Sequence, residues 1–95
     1  MRLNDKSVII TGAGSGIGKA CAQLFNKEGA KIILADINEE DLNKTKETLS
    51  RANESLTYKC DVSSKKETKD LVNFSIKSLG SVDILINSAG VNPRN

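Results

Sequence analysis

The sequence predicts an α/β fold: a parallel sheet, doubly wound by helices, in the order βαβαβαβ with strand order 3-2-1-4. Two observations predict it. Short, nearly all-apolar runs alternate with stretches of helical periodicity, and runs that apolar belong to parallel strands covered on both faces. Each intervening stretch is long enough to carry a helical crossover, and the right-handed rule for crossovers then orders the strands. The 95 residues suffice for one small domain. No repeat or low-complexity segment interrupts them.

Val8-Ile9-Ile10 reads as the first buried strand. Ile17, Cys21, Leu24 and Phe25 then form a helical stripe that Gly29 can end. Lys31 to Asp36 reads as the second strand. Asn38 can cap the following helix, and Glu39, Glu40 and Asp41 suit the positive end of its dipole. Leu42, Thr45 and Leu49 give that helix a narrow apolar face. Leu56 to Cys60 makes the third strand, and Ser64 with Glu67 has the spacing of a capping box. Leu71, Val72, Ile76 and Leu79 form the next stripe, and Gly80 sits where that helix should stop. Val82 to Ile86 reads as the fourth strand. Asn87 to Asn95 is polar, contains the single proline, Pro93, and reads as a loop.

Composition narrows the function classes. An apolar fraction of 38% with 27% charged residues is that of a folded, soluble chain rather than a disordered one. A net charge of +2, with lysines spread along the chain, gives no electrostatic footprint for nucleic acid. Phe25, Tyr58 and Phe74 are too few aromatics for a base-stacking sheet. No apolar run reaches membrane-spanning length, and Met1 to Lys6 lacks the apolar stretch of a signal peptide. A cytoplasmic protein without membrane partners is expected. Cys21 and Cys60 match no metal-ligand spacing and read as buried, reduced, small apolar residues. With no histidine, the commonest general base and metal ligand is absent.

The chemistry concentrates in "TGAGSGIG", Thr11 to Gly18, which joins the first strand to the first helix. Helix amino-terminal N–H groups are unpaired and point at such a turn, and the helix dipole adds positive charge, so a phosphate would bind there. Glycines let the backbone come close to it. A structural turn with no ligand is the other reading of the glycine spacing alone. The P-loop pattern fails twice, since Ala13 replaces its first glycine and Ala20 its hydroxyl residue. The G-x-G-x-x-G pattern, started at Gly12, places Ile17 where glycine is needed. T-G-x-x-G-x-x-G, usual in extended epimerase-like relatives, would need glycine at Ser15. Thr11, Gly12, Gly16 and Gly18 satisfy T-G-x-x-x-G-x-G, a spacing that resembles the short-chain dehydrogenase/reductase family.

Three further matches support the resemblance, each at the carboxyl end of a predicted strand. Asp36 can accept hydrogen bonds from the two hydroxyls of an adenosine ribose and would repel a 2′-phosphate. Neither Ser15 nor Ile37 supplies the positive charge that NADP-preferring members often carry there, so NAD is expected rather than NADP. Without the glycine turn, Asp36 reads as a strand-end turn residue. The Asp61-Val62 pair resembles the family's D-V pair, in which the aspartate bonds the adenine amino group and the next backbone N–H meets a ring nitrogen. A capping or turn aspartate is the other reading of Asp61. Asn87-Ser88-Ala89-Gly90 resembles N-N-A-G: Asn87 would tie strand ends together near the cofactor, while Ala89 and Gly90 let the backbone approach the ribose. Ser88 departs from the second asparagine, which weakens a side-chain role at that position.

The resemblance spans the chain and implies a Rossmann sheet binding a nicotinamide dinucleotide across its strand ends. It implies an oxidoreductase that interconverts an alcohol and a carbonyl by hydride transfer, and a homo-oligomer at full length. The glycine-turn contacts would come from Gly12, Ser15, Gly16, Ile17 and Gly18, with Asp36, Ile37, Asp61, Val62, Asn87, Ala89 and Gly90 around the adenosine half. The family's catalytic serine, tyrosine and lysine, in Y-x-x-x-K spacing, find no match. Tyr58 is the single tyrosine, and Val62 stands where the lysine would be. Residues 1–95 are therefore expected to form a partial cofactor-binding domain, inactive alone, with the catalytic half beyond Asn95. A non-catalytic NAD-binding half-domain or a non-functional remnant is the alternative. With strands three and four at the sheet edges, Ile84, Leu85 and Ile86 should be poorly covered. Marginal stability or association, and weak or absent NAD binding, are expected of the isolated chain.

Overall fold

A computed structural model describes residues 3–88 and bears out the topology. β1 (Ser7–Thr11) pairs in parallel with β2 (Lys31–Asp36) on one side and β4 (Ile84–Asn87) on the other. β3 (Ser55–Lys59) pairs in parallel with β2, giving the order β3-β2-β1-β4. In register, Thr11 lies between Ala35 and Asn87. The chain therefore leaves β3 at one edge and re-enters at β4 beyond β1, so the connection from β1 to β2 and the connection from β3 to β4 diverge at the carboxyl end of β1.

Side-chain alternation along β1 and β2 divides the core into two layers. Val8, Ile10, Ile32 and Leu34 point to one face, where α1 (Gly16–Lys27) and α2 (Glu39–Glu47) lie with Ala22 and Leu42. Ile9, Ile33 and Ala35 point to the other, with Cys60 and Leu71, where α3 (Lys65–Leu79) packs. Each large aliphatic side chain in these strands is fully buried or nearly so, which stabilises the fold by roughly 1.5–3 kcal/mol apiece. Tyr58 is a β3 residue whose ring stacks on Phe74 of α3, with centroids 4.8 Å apart.

α2 buries Leu42 and Thr45 with Leu49 beyond it, the face the sequence predicted, but α1 and α3 bury in part different residues from those of their apolar stripes. In α1, Ile17 and Leu24 are 62% and 55% exposed, while Gly18, Ala22 and Asn26 are buried. Small residues one turn apart let the helix backbone approach the sheet, and this outweighs the larger apolar side chains. Cys21 and Phe25 are partly buried beside that line. Asn26 is satisfied in the core: its side chain accepts from the Arg51 N–H at 2.8 Å and donates to the Arg51 carbonyl at 2.9 Å. In α3, Leu71 and Ser75 face inward, Ile76 is exposed and Val72 half-buried. The Ser75 hydroxyl returns to the Leu71 carbonyl at 2.8 Å.

The helix ends follow the sequence more closely. Asn38 accepts from the Asp41 N–H at 3.0 Å, and Gly29 and Gly80 adopt the positive φ values, 96° and 88°, that end α1 and α3. Ser64 caps α3 through the Glu67 N–H, but Glu67 returns its carboxylate to the Asp61 N–H, so only half of the capping box forms. The third and fourth strands are each shifted from the predicted bounds. Asp83, expected inside the fourth strand, instead precedes it and accepts from the Ser7 N–H through its carboxylate at 2.8 Å. A short 3-10 turn, Ala52–Glu54, precedes β3. Both cysteines are free, Cys60 buried as predicted and Cys21 only partly so. Leu85 is 59% exposed at the β4 edge, while Ile84 and Ile86 are partly covered from the α1 side.

Candidate functional site

The predicted site residues within the described chain all gather at the carboxyl ends of the strands. Ala89 and Gly90 lie outside the described residues. The turn 12–15 leaves β1 and enters α1 with Ser15 as the N-cap residue, in extended conformation. Its side chain makes no capping bond, and the first turn of α1 carries no acidic residue. α2 and α3 differ on both counts: Asn38 and Ser64 cap them, and Glu39, Glu40, Asp41 and Glu67 occupy their first turns. Among the described residues, the start of α1 at Gly16, Ile17 and Gly18 is thus the α-helix amino terminus with neither a side-chain cap nor an acidic first turn.

The turn is fixed from several sides. Ala13 donates to the Ala35 carbonyl at 3.0 Å and accepts from the buried Thr45 hydroxyl at 2.9 Å. Ser88 is buried, and its hydroxyl donates to the Thr11 carbonyl. Gly12 and Gly16 have positive φ, 68° and 58°. Gly18 is needed for closeness: a Cβ there would overlap the Gly12 carbonyl and the Ser88 hydroxyl. Two of these glycines serve a backbone conformation and the third a close approach, and the structure brings them under one short loop.

Asp36, the last residue of β2, reaches into this loop. Its Oδ2 accepts from the Gly14 N–H at 2.9 Å and its Oδ1 from the Asn38 N–H at 3.1 Å. An ionised carboxylate offers about four acceptor positions, so each oxygen keeps capacity for one more donor. Ile37 follows it and is 60% exposed.

Asp61 is engaged in a local turn. Its Oδ1 accepts from both the N–H and the hydroxyl of Ser63, at 2.9 and 2.7 Å. These two bonds, the hydroxyl first, hold its carboxyl below the usual aspartate range. Val62 and Asn87 line one pocket of about 190 Å³ together with Thr11, Leu71 and Leu85. Asn87 ties the strand ends as expected, since its Oδ1 accepts from the Thr11 hydroxyl at 2.9 Å.

Sequence reasoning missed Thr45 and Ser88. Thr45 was placed on an apolar face, yet a buried hydroxyl needs an acceptor, and that requirement was the available signal. At Ser88 the departure from asparagine weakens a side-chain role, whereas the hydroxyl donates to the Thr11 carbonyl and lies 3.3 Å from that of Gly12.

Residues 6–95 match the family model described as short chain dehydrogenase. The chain is 41% identical over 91 residues to the 7alpha-hydroxysteroid dehydrogenase of Escherichia coli K12, covering 95% of this chain and 36% of that protein. It is 43% identical over 88 residues to the (S)-acetoin-forming diacetyl reductase of Staphylococcus epidermidis, covering 92% of this chain and 34% of that one. A 7alpha-hydroxysteroid dehydrogenase solved with NADH and 7-oxo glycochenodeoxycholic acid superposes with a TM-score of 0.83 at 40% identity, over 88% of this chain and 33% of that one. The chain spans about a third of the length of these relatives. With the family match running from Lys6 through the glycine turn to Asn95, the chain belongs to the short-chain dehydrogenase family of oxidoreductases.

Proposed function

We propose that residues 1–95 are the amino-terminal, partial dinucleotide-binding domain of an NAD-dependent oxidoreductase that interconverts an alcohol and a carbonyl compound. The observation that carries this reading is the uncapped, acid-free amino terminus of α1 beneath a glycine turn whose far side meets the Asp36 carboxylate. That donor set fits a pyrophosphate beside a ribose diol: amides and a helix dipole for the anion, a carboxylate with free acceptor capacity for the hydroxyls. A bound nicotinamide dinucleotide would supply the hydride acceptor or donor.

In this reading Gly12, Ser15, Gly16, Ile17 and Gly18 hold the pyrophosphate through main-chain donors and close approach. Asp36 binds the adenosine ribose and repels a 2′-phosphate, and Ser15 and Ile37 offer that phosphate no cation, so NAD is preferred over NADP. Asp61 retains one carboxylate oxygen for the adenine amino group, and Val62 presents its N–H to the ring. Asn87 steadies the strand ends, and Ala89 with Gly90 gives the ribose close backbone. The relatives support the substrate class, since one is named for a hydroxysteroid and one for diacetyl. Their length, with no Y-x-x-x-K segment in this sequence, supports a catalytic half, and the surfaces of a homo-oligomer, beyond Asn95. The free cysteines fit a cytoplasmic setting.

The test is to read the gene past the Asn95 codon and to measure NAD and NADP binding by calorimetry on the protein it encodes. A continuing frame with Y-x-x-x-K, NAD binding tighter than NADP, and NAD binding at least about tenfold weaker in Asp36→Ala are expected. A stop codon at that point, or no dinucleotide binding, overturns the proposal.

A further inference from the structure

Gly14 is the one glycine of the Thr11–Gly18 turn that the family spacing does not require. It is not among the residues with positive φ, so backbone conformation does not demand glycine there. Space does. A Cβ at position 14 would lie 2.7 Å from the Cβ of Asp41 and 2.9 Å from Oδ2 of Asp36.

Neither neighbour can yield freely. Asp41 belongs to the first turn of α2, where its own N–H is bonded to the Asn38 cap. The Asp36 carboxylate is held between the Gly14 N–H on Oδ2 and the Asn38 N–H on Oδ1. Gly14, Asp36, Asn38 and Asp41 thus form one connected unit, in which the turn is pressed against the end of β2 and the start of α2. An added methyl must push the carboxylate away, shift the helix start, or lift the turn from both. Moving the carboxylate or lifting the turn breaks or lengthens the bond from the Gly14 amide to Asp36, and shifting the helix start alone leaves the 2.9 Å contact with Oδ2 in place.

We infer that Gly14 is a specificity-determining positioning residue: its amide and its missing side chain hold the Asp36 carboxylate where it favours a ribose diol over a 2′-phosphate. The inference rests on the dinucleotide reading of the site and deepens it. Two amide donors leave one acceptor position on each carboxylate oxygen, matching two vicinal hydroxyls. A carboxylate released from Gly14 can turn aside, which costs the diol its partner and relieves the repulsion of a phosphate. Gly14 itself need not touch the ligand.

The experiment compares NAD and NADP affinities, by calorimetry, for the wild type and Gly14→Ala in the protein as its gene encodes it. The readout is the ratio of the two affinities, which a general loosening of the fold would leave unchanged. Gly14→Ala is expected to lower the preference for NAD by about tenfold, the scale of one charge-assisted hydrogen bond, with NADP affinity held or improved. An unchanged ratio overturns the inference, as does equal weakening of both cofactors. Should circular dichroism show Gly14→Ala unfolded, the measurement is made on Gly14→Ala combined with Asp41→Gly. That pair removes the 2.7 Å neighbour and keeps the 2.9 Å one, so the same fall in the ratio is expected, and a wild-type ratio overturns the inference. A wild type that prefers NAD beside a Gly14→Ala of equal preference removes this inference alone. A wild type that binds neither dinucleotide removes the parent reading with it.

Discussion

The Ser88 hydroxyl donates to the Thr11 carbonyl at 2.6 Å and approaches the Gly12 carbonyl at 3.3 Å, joining the end of β4 to the start of the glycine turn. Both contacts span more than seventy positions of sequence, so they form only when the sheet is assembled. Ser88→Ala leaves a buried carbonyl without its hydroxyl donor. The expected loss is about 1–2 kcal/mol of stability, read as a lower midpoint in urea unfolding with unchanged slope. An unaltered midpoint would mean that the hydroxyl contributes nothing net.

Gly16 and Gly18 separate two reasons for glycine. Gly16 needs its positive φ, and a Cβ there meets nothing within 4 Å. Gly18 has a Cβ position already filled by the Gly12 carbonyl. Gly16→Ala should therefore cost about 1 kcal/mol, the dihedral penalty alone. Gly18→Ala should cost about 3 kcal/mol, the upper range for overpacking, because backbone rather than a side-chain tip must move. Urea unfolding of the two variants should rank them in that order, and equal losses would contradict the steric account.

Asp61 owes its lowered carboxyl pKa first to the Ser63 hydroxyl and then to the Ser63 N–H. A group whose folded pKa is depressed contributes stability above the unfolded aspartate value, about 3.9, and loses it as pH falls through the folded value. Ser63→Ala removes the larger cause and should raise the Asp61 pKa towards the ordinary range. A carbon-detected NMR titration of wild type and variant checks it, and coincident curves would rule the hydroxyl out.

How much of this was legible beforehand depends on the kind of interaction. Strand order, helix caps at Asn38 and Ser64, and glycine stops at 29 and 80 follow from local periodicity and turn chemistry, and they appear as read. The inward faces of α1 and α3 do not. Apolar size pointed to Ile17, Leu24 and Ile76, but close helix–sheet approach selects Gly18, Ala22 and Ser75. The glycine turn and Asp36 stood out by spacing. That Gly14 donates to Asp36, and Thr45 and Ser88 to the carbonyls around them, depends on atoms brought together from distant segments, which no window of sequence contains.

Cys60 and Cys21 should differ in reactivity. Burial, first, and the carboxylates of Glu67, Asp61 and Asp70 push the Cys60 thiol pKa up, so less of the nucleophilic thiolate is present at a given pH. Cys21 is only partly buried. Labelling with a disulfide reagent at pH 8 should modify Cys60, measured in Cys21→Ser, several-fold more slowly than Cys21, measured in Cys60→Ser. Because the folded Cys60 pKa is raised, its contribution to stability is complete below the unfolded cysteine value, about 8.5, and declines as pH rises through the folded one. Equal labelling rates would show that local opening, rather than the folded environment, governs access to Cys60.

Leu85 supplies the last prediction. Its neighbours on β4, Ile84 and Ile86, pack towards α1, while Leu85 points to the α3 side and stays 59% exposed at the sheet edge. An open strand edge with an apolar side chain on its bare face favours association. Residues 1–95 prepared alone should therefore sediment as concentration-dependent oligomers. Leu85→Lys removes exposed apolar area and adds charge where little packing is lost, so stability should change by about 0.5 kcal/mol or less while association falls. Sedimentation velocity over a range of concentrations distinguishes the outcomes. A monomeric wild type would show that the edge is protected in solution, and oligomers unaffected by Leu85→Lys would place the contact on another face.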